Sequence, residues 1–245
     1  MQKTLKVVAN VPNNIPFQRE YSAIFRFSYE RWSEGYKEIM IRWLVTNRWT
    51  DVNCWIAQCA ILSAKQEYKA HQAQNTSGQR KKKVIWGSRK NFDKRKKGEI
   101  SKTEYQKARL RPIIIQGDIE HKSNRLFDFS KLRDNIITYK PNRRTKVEYN
   151  FITGKNQDKE IKYLINNIGK IPIQVLLKEG QICFSYEQEK DLSSNKIKDR
   201  ILGIDMNPNN IGITIVDFKN NQEVLVKSKV FKISNKTRQH DNKRN

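Results

Sequence analysis

Asp205 stands where a carboxylate could do chemistry. It ends the apolar run Ile201–Ile204 and is followed by Asn207-Pro208-Asn209-Asn210, four residues rich in turn chemistry. A strand that delivers a carboxylate beside a tight turn could place it on a divalent cation, because hard cations prefer carboxylate oxygen. The same Asp could also do no more than cap its turn, a role this residue type fills unaided. A second pattern lies upstream: Arg80, Lys81, Lys82, Lys83, Arg89, Lys90, Lys94, Arg95, Lys96 and Lys97 stand against one acid, Asp93. Such a block repels itself when free and gains stability when it neutralises phosphates. Val84, Ile85, Trp86 and Phe92 interrupt it, which a plain targeting tail does not need. A base or sugar could stack on Trp86, worth about 1–3 kcal/mol per base in single-strand binders. Alternatively, Trp86 tucks into the core.

The whole composition points the same way. The 49 Lys and Arg residues outweigh 25 Asp and Glu, a net charge of +24 that makes a polyanion, and first of all nucleic acid, the expected partner. Hydrophobic residues supply 37% of the 245 positions, enough for real cores and against a wholly disordered basic chain. No run of 18 apolar residues occurs and the N-terminus lacks a signal-peptide pattern, so no membrane partner and a cytoplasmic location are expected. Cys54, Cys59 and Cys183 include no C-x-x-C pair, which excludes a disulfide framework or a zinc ribbon built from them.

The elements that must position these residues change period along the chain. Residues 3–9 read as a short strand ended by Asn10 and Pro12. From Phe17 to Val45 a helical stripe runs through Phe25, Tyr29, Trp32, Tyr36, Ile39 or Met40, and Trp43, with Gly35 weakening or splitting it. At that spacing the aromatics read as core. A second helix is expected from Thr50 or Asp51, with Val52, Trp55, Ile56, Cys59, Ala60 and Ala64 on one face, fading before Asn75. Ser101-Lys102-Thr103-Glu104 is a capping box opening a helix that must end before Pro112. Residues 113–133 give no clear period. Then Val147, Tyr149 and Phe151 alternate behind a Pro141-Asn142 turn, and Ile171 to Leu177 pairs with Ile182 to Tyr186 across Glu179-Gly180.

An early strand, a helical insert of about 110–120 residues and later antiparallel strands suggest an α+β chain: a β-barrel carrying a helical domain. After Lys198 a β-meander follows. Ile201–Ile204 leads to Asp205, Ile211, Ile213 and Ile215 return, Asn220-Asn221 turns, and Val224, Val226 and Val230 form a third strand. Gly212 reads as room for close backbone approach.

The residues ILGIDMNPNNIGITIVDF (201–218) resemble the first RuvC motif of the TnpB (OrfB) transposon-encoded RNA-guided nucleases and their relatives, the type V CRISPR effectors. CWIAQCAILSAKQEY (54–68), KKKVIWGSRKNF (81–92), KARLRPI (107–113) and NRLFDF (124–129) are similar to the same family, in the expected order. The resemblance implies a wedge-type β-barrel over 1–12 and 134–198, and a helical recognition insert over 13–133 with a basic loop at 79–98. It further implies the opening β-meander of an RNase H-like RuvC domain over 199–245. It implies guide RNA and target DNA as partners, with base pairing reading sequence and the protein gripping backbone and heteroduplex shape. Asp205 matches the family's first catalytic and metal-binding aspartate, and Mg²⁺ is the implied cofactor once the site is complete.

The family's site also needs a Glu and a second Asp from later segments, usually with a four-Cys zinc ribbon between them. The sequence stops at Asn245, about 40 residues past Asp205, and its end KTRQHDNKRN resembles the start of the next helix. Asp217, at the far end of the returning strand, should lie too far away for easy metal sharing. The expectation is a truncated or split nuclease, inactive alone, completed by a C-terminal fragment or second subunit. The alternatives are a nuclease-dead RNA-guided DNA-binding protein acting as a repressor, and an actin-like-fold ATP-binding protein. Neither the charge nor the upstream resemblance follows from the last.

Overall fold

The computed structural model describes residues 1–75, 84–188, 200–207, 210–219 and 222–232. The chain divides into two compact units, Met1–Glu189 and Lys190–Asn245.

In the first unit, β1 (Gln2–Ala9) alternates as its sequence requires: Leu5, Val7 and Ala9 are buried, with exposed residues between them. It is central to a curled, open seven-stranded sheet in the order β2-β8-β9-β1-β7-β6-β5, every pair antiparallel. The other strands are β2 (Ile113–Ile115), β5 (Phe127–Asp128), β6 (Ile136–Tyr139), β7 (Val147–Ile152), β8 (Ile173–Lys178) and β9 (Gln181–Glu187). Phe151, Ile173, Val175, Leu177, Ile182 and Phe184 face the core, the period-two pattern read from sequence. The sheet stays open rather than closing as a barrel, its edges being the three-residue β2 and the two-residue β5. Edge strands this short offer little ladder to pair across the gap.

Among the described residues five helices intervene between β1 and β2: α1 (Gln18–Ser33), α2 (Glu38–Arg48), α3 (Cys54–Asn75), α4 (Arg89–Lys96) and α5 (Lys102–Ala108). Tyr21, Ile24 and Phe25 of α1 and Ile56, Ala60, Ile61 and Ala64 of α3 belong to the same core cluster as the strand residues. The Asn53 side chain accepts from Trp55 N at 2.8 Å, so α3 starts slightly later than the Thr50/Asp51 expectation. Gly35 takes a positive φ of 83° and splits the first helix, as expected. The turn also re-aims α2: Ile41 and Val45 are buried, while Ile39 (74%) and Trp43 (62%) are exposed together with Tyr36 and Met40. The stripe therefore reads as core only up to Trp32.

Two boundaries differ from the sequence expectation. Ile113–Ile115 already pair with β8, so the sheet resumes well inside the 13–133 span assigned to the insert. Residues 89–96 of the expected basic loop form α4, capped by Ser88, whose Oγ accepts from Asn91 N at 3.3 Å. A sixth helix, α6 (Asp158–Asn167), lies between β7 and β8 and buries Ile161 and Leu164.

The segment joining β2 to β5 contains a small two-stranded sheet, β3 (Gly117–Asp118) with β4 (Ser123–Asn124). Asn124 is buried and its Nδ2 donates to the carbonyls of Ile173 (2.9 Å), Gln116 (3.2 Å) and Ile115 (3.4 Å). Its Oδ1 accepts from Leu126 N at 3.0 Å. A Cβ on Gly117 would sit 2.4 Å from Ile173 N, so only glycine lets this turn lie against the start of β8. The stretch 124–129 is thus structural, with Asn124, Leu126, Phe127 and Phe129 all buried.

The second unit is a three-stranded antiparallel meander: β10 (Arg200–Asn207), β11 (Asn210–Lys219) and β12 (Gln222–Lys232). Its register slips between Ile215 and Val216, which face Lys227 and Leu225. Pro208, Asn209, Asn220 and Asn221, read as turn residues, lie outside the described residues.

Candidate nucleic-acid interface

The cations of the basic block fall into two groups. Arg80, Lys81, Lys82 and Lys83 lie outside the described residues. The rest sit on or beside α4, where Arg89, Lys90, Arg95, Lys96 and Lys97 are exposed and Lys94 is half-buried. Arg89 pairs with Asp93 at 3.4 Å and Lys97 with Glu99 at 4.0 Å, while Arg95 Nη1 donates to Ile100 O at 3.2 Å. Among the described residues Lys90, Lys94 and Lys96 have no acid partner within 4 Å. These three lysines give one short helix a net cationic surface that nothing else on it neutralises.

Trp86 precedes that helix and is held from several sides. Its half-buried ring stands edge-on to Phe25 (5.8 Å, 90°) and Tyr29 (5.2 Å, 86°), and its carbonyl accepts from Tyr105 Oη at 3.0 Å. The packing makes Trp86 an anchor between the basic segment and α1, the core alternative to base stacking.

The stretch 107–113 clasps α1. Ser22 Oγ accepts from Arg111 N at 2.9 Å, and Gln18 Nε2 donates to Arg111 O at 3.0 Å. The Arg111 guanidinium lies 3.9 Å over the Phe25 ring and pairs with Glu67. Arg26 Nη1 donates to Arg109 O at 3.1 Å. Burial, and then the neighbouring charge of Arg109, lower the Arg26 guanidinium below its ordinary pKa. Arg19, Arg26, Lys107 and Arg109 together line one cleft. The sequence reading missed all four. Arg19 and Arg26 are seven apart, hence on one face of a helix, but they were hidden behind the apolar stripe of the same segment.

Asp205 is exposed on β10 and stands opposite Gly212. Asp217 stands opposite Arg200, five residues further along β11, or about 17 Å at strand rise. This backbone spacing agrees with the strand-length separation expected from the sequence. A Cβ on Gly212 would meet Asp205 Cβ at 3.7 Å, an ordinary contact, so this glycine is not needed for close approach.

One metal-capable group was not foreseen. Asp118, Glu120 and His121 bring their ligand atoms within 4.8 Å of one another and could hold a divalent cation. Asp118 is already engaged: its Oδ1 accepts from Glu120 N at 3.0 Å, and its Oδ2 is shared by Arg125 Nε and His121 Nδ1. Arg125 chiefly holds the Asp118 carboxyl below its usual range, and a metal would compete with it.

No family model, curated protein or solved structure matches the chain. No helix among the described residues is long and apolar enough to cross a membrane.

Proposed function

We propose that this chain is the nucleic-acid-binding part of an RNA-guided DNA endonuclease of the TnpB type, gripping guide RNA and the RNA–DNA heteroduplex by backbone charge and shape. The observation that carries the reading is the cationic helical segment between β1 and β2, where Lys90, Lys94 and Lys96 have no acid partner within 4 Å among the described residues. The net charge of +24 supports it, as does the β1–helices–sheet order, which agrees with the wedge-and-insert architecture that the resemblance implies. The meander carrying Asp205 on its first strand agrees with the opening of a RuvC-type domain.

A Mg²⁺-dependent site of that type clamps attacking and leaving oxygens between two ions about 4 Å apart. The resemblance draws the other carboxylates of that clamp from segments other than this meander, so no hydrolytic step is assigned to the described residues. The same cationic segment serves a second reading equally, a nuclease-dead RNA-guided DNA-binding protein. Either way the bound species is the same.

Immunoprecipitation of the chain from cells expressing it, followed by sequencing of bound RNA, tests the reading. A small set of enriched RNA species is expected, unchanged in Asp205→Ala. Recovery of no RNA above an untagged control would contradict it. A C-terminal piece bearing the further Glu and Asp should produce Asp205-dependent cutting under the first reading and none under the second.

A further inference from the structure

Between α1 and α5 lies a cleft of about 270 Å³ lined by Arg19, Arg26, Thr103, Gln106, Lys107 and Arg109, with Leu110 on its wall. Four of these side chains are cationic, two more carry hydrogen-bond donors, and none of the described residues lining it is a carboxylate. Folding has driven these charges together at a cost. Arg26 is half-buried beside Arg109, whose repulsion exceeds the attraction of Glu30, and a second guanidinium, Arg111, adds further repulsion. Arg109, also half-buried, keeps a buried Nε without a hydrogen-bond partner among the described residues. The neighbouring Arg111 shows the usual remedy, a carboxylate partner in Glu67, which the cleft lacks.

We infer that this cleft is a phosphate site, taking the phosphate group of a nucleotide with Arg26 and Arg109 as the inner donors and Arg19 and Lys107 at the rim. A phosphate brings more charge and more acceptor oxygens than a carboxylate, and guanidinium forks match that geometry. The volume falls below the roughly 300–1,000 Å³ that encloses a whole small ligand, so the site fits one phosphate with part of its sugar. The inference deepens the nucleic-acid reading and rests on it for the expected source of the phosphate, a strand rather than a free nucleotide. It assigns the cleft a fixed anchoring point, in contrast to the exposed lysines of α4, which neutralise backbone without fixing its position.

The test uses the full chain with four probes: inorganic phosphate, adenosine 5′-monophosphate, and one RNA oligonucleotide carrying either a 5′-phosphate or a 5′-hydroxyl. Binding is followed by calorimetry for the small anions and by fluorescence anisotropy for the RNAs. Arg19→Gln with Lys107→Gln removes rim charge and breaks no ion pair or side-chain hydrogen bond among the described residues, and Arg26→Gln removes an inner donor, with circular dichroism checking folding. Monophosphate binding should fall at least tenfold in the rim double variant and further in Arg26→Gln, while Lys90→Gln with Lys96→Gln leaves it unchanged. RNA affinity should fall at least fivefold in the rim variant. Equal loss for both RNAs assigns an internal phosphodiester, and loss confined to the phosphorylated one assigns a strand end. Binding of monophosphate but no RNA keeps the cleft and defeats the nucleic-acid reading. RNA binding identical in wild type and folded rim variant, or monophosphate binding unaffected by it, overturns the cleft and leaves that reading standing.

Discussion

Glu67 holds Arg111 at both ends of its fork: Nη1 donates to Oε1 at 3.2 Å and Nη2 to Oε2. The pair neutralises one of the two arginines that clasp α1, and Arg109, two residues earlier, has no such carboxylate among the described residues. Glu67→Gln should therefore act on the fold and not on an anion. It should cost about 1–2 kcal/mol, the scale of a charge-assisted hydrogen bond lost at a partly exposed site. A shifted urea midpoint with no loss of RNA affinity is the expected result.

Trp86→Ala should act the same way. The ring touches Phe25 and Tyr29 edge-on, so its removal leaves a cavity beside α1. Full Trp truncation in a core costs about 3–5 kcal/mol, and partial exposure puts this one near the lower end. Urea unfolding should show that loss, and the salt dependence of RNA binding, measured well below the unfolding midpoint, should keep its slope.

Two glycines should respond oppositely to alanine. Gly117→Ala drives a Cβ to 2.4 Å from Ile173 N, a backbone atom that cannot swing away, and should cost about 2–3 kcal/mol. Gly212→Ala finds ordinary contact at 3.7 Å and should change stability by less than about 0.5 kcal/mol. Amide exchange across β8 for the first variant and β10–β12 for the second reports the difference locally.

Much of this was legible in sequence where one local signal spoke alone. The capping box forms as read, Ser101 Oγ accepting from Glu104 N at 3.1 Å and Glu104 Oε2 from Ser101 N at 2.7 Å. The alternations at 147–151 and 173–186 became β7, β8 and β9, and the isolated N-terminal strand found its place between β9 and β7. The failures have physical causes. α4 carries too many lysines and too few apolar residues to show a helical period, and its Ser88 cap was the only cue. α6 shows Ile161 and Leu164 at helical spacing, but flanking strand patterns masked it. The stripe from Phe25 to Trp43 keeps its period through Gly35, yet the backbone there turns, and periodicity carries no information about direction. The phosphate cleft draws Arg26 and Arg109 from segments 83 residues apart, a juxtaposition that only packing creates.

Acid should weaken the link between β5 and β6. The Lys140 ammonium, 2.7 Å from Asp128, and the backbone N–H of Ser130 lower the Asp128 carboxyl to about 2. Its unfolded value is about 3.9, so the unfolded chain takes up the proton first as pH falls. The stabilisation is fully present above about pH 4 and is lost toward pH 2. The urea midpoint of Asp128→Asn should lie below wild type at pH 6, with the gap narrowing below about pH 4 and closing only as pH falls through about 2.

The central claim, that the chain grips nucleic-acid backbone through this cationic segment, is tested most directly by RNA affinity against salt. Fluorescence anisotropy between 50 and 200 mM salt should show a loss of roughly 10³–10⁵ in affinity, as expected for about 6–10 neutralised phosphates. Changing Lys90, Lys94 and Lys96 together to Gln should lower the log–log slope by about 2, near 0.7 per single-strand phosphate contact. A salt-independent affinity, or a slope unmoved by the triple change in a folded chain, would contradict the account.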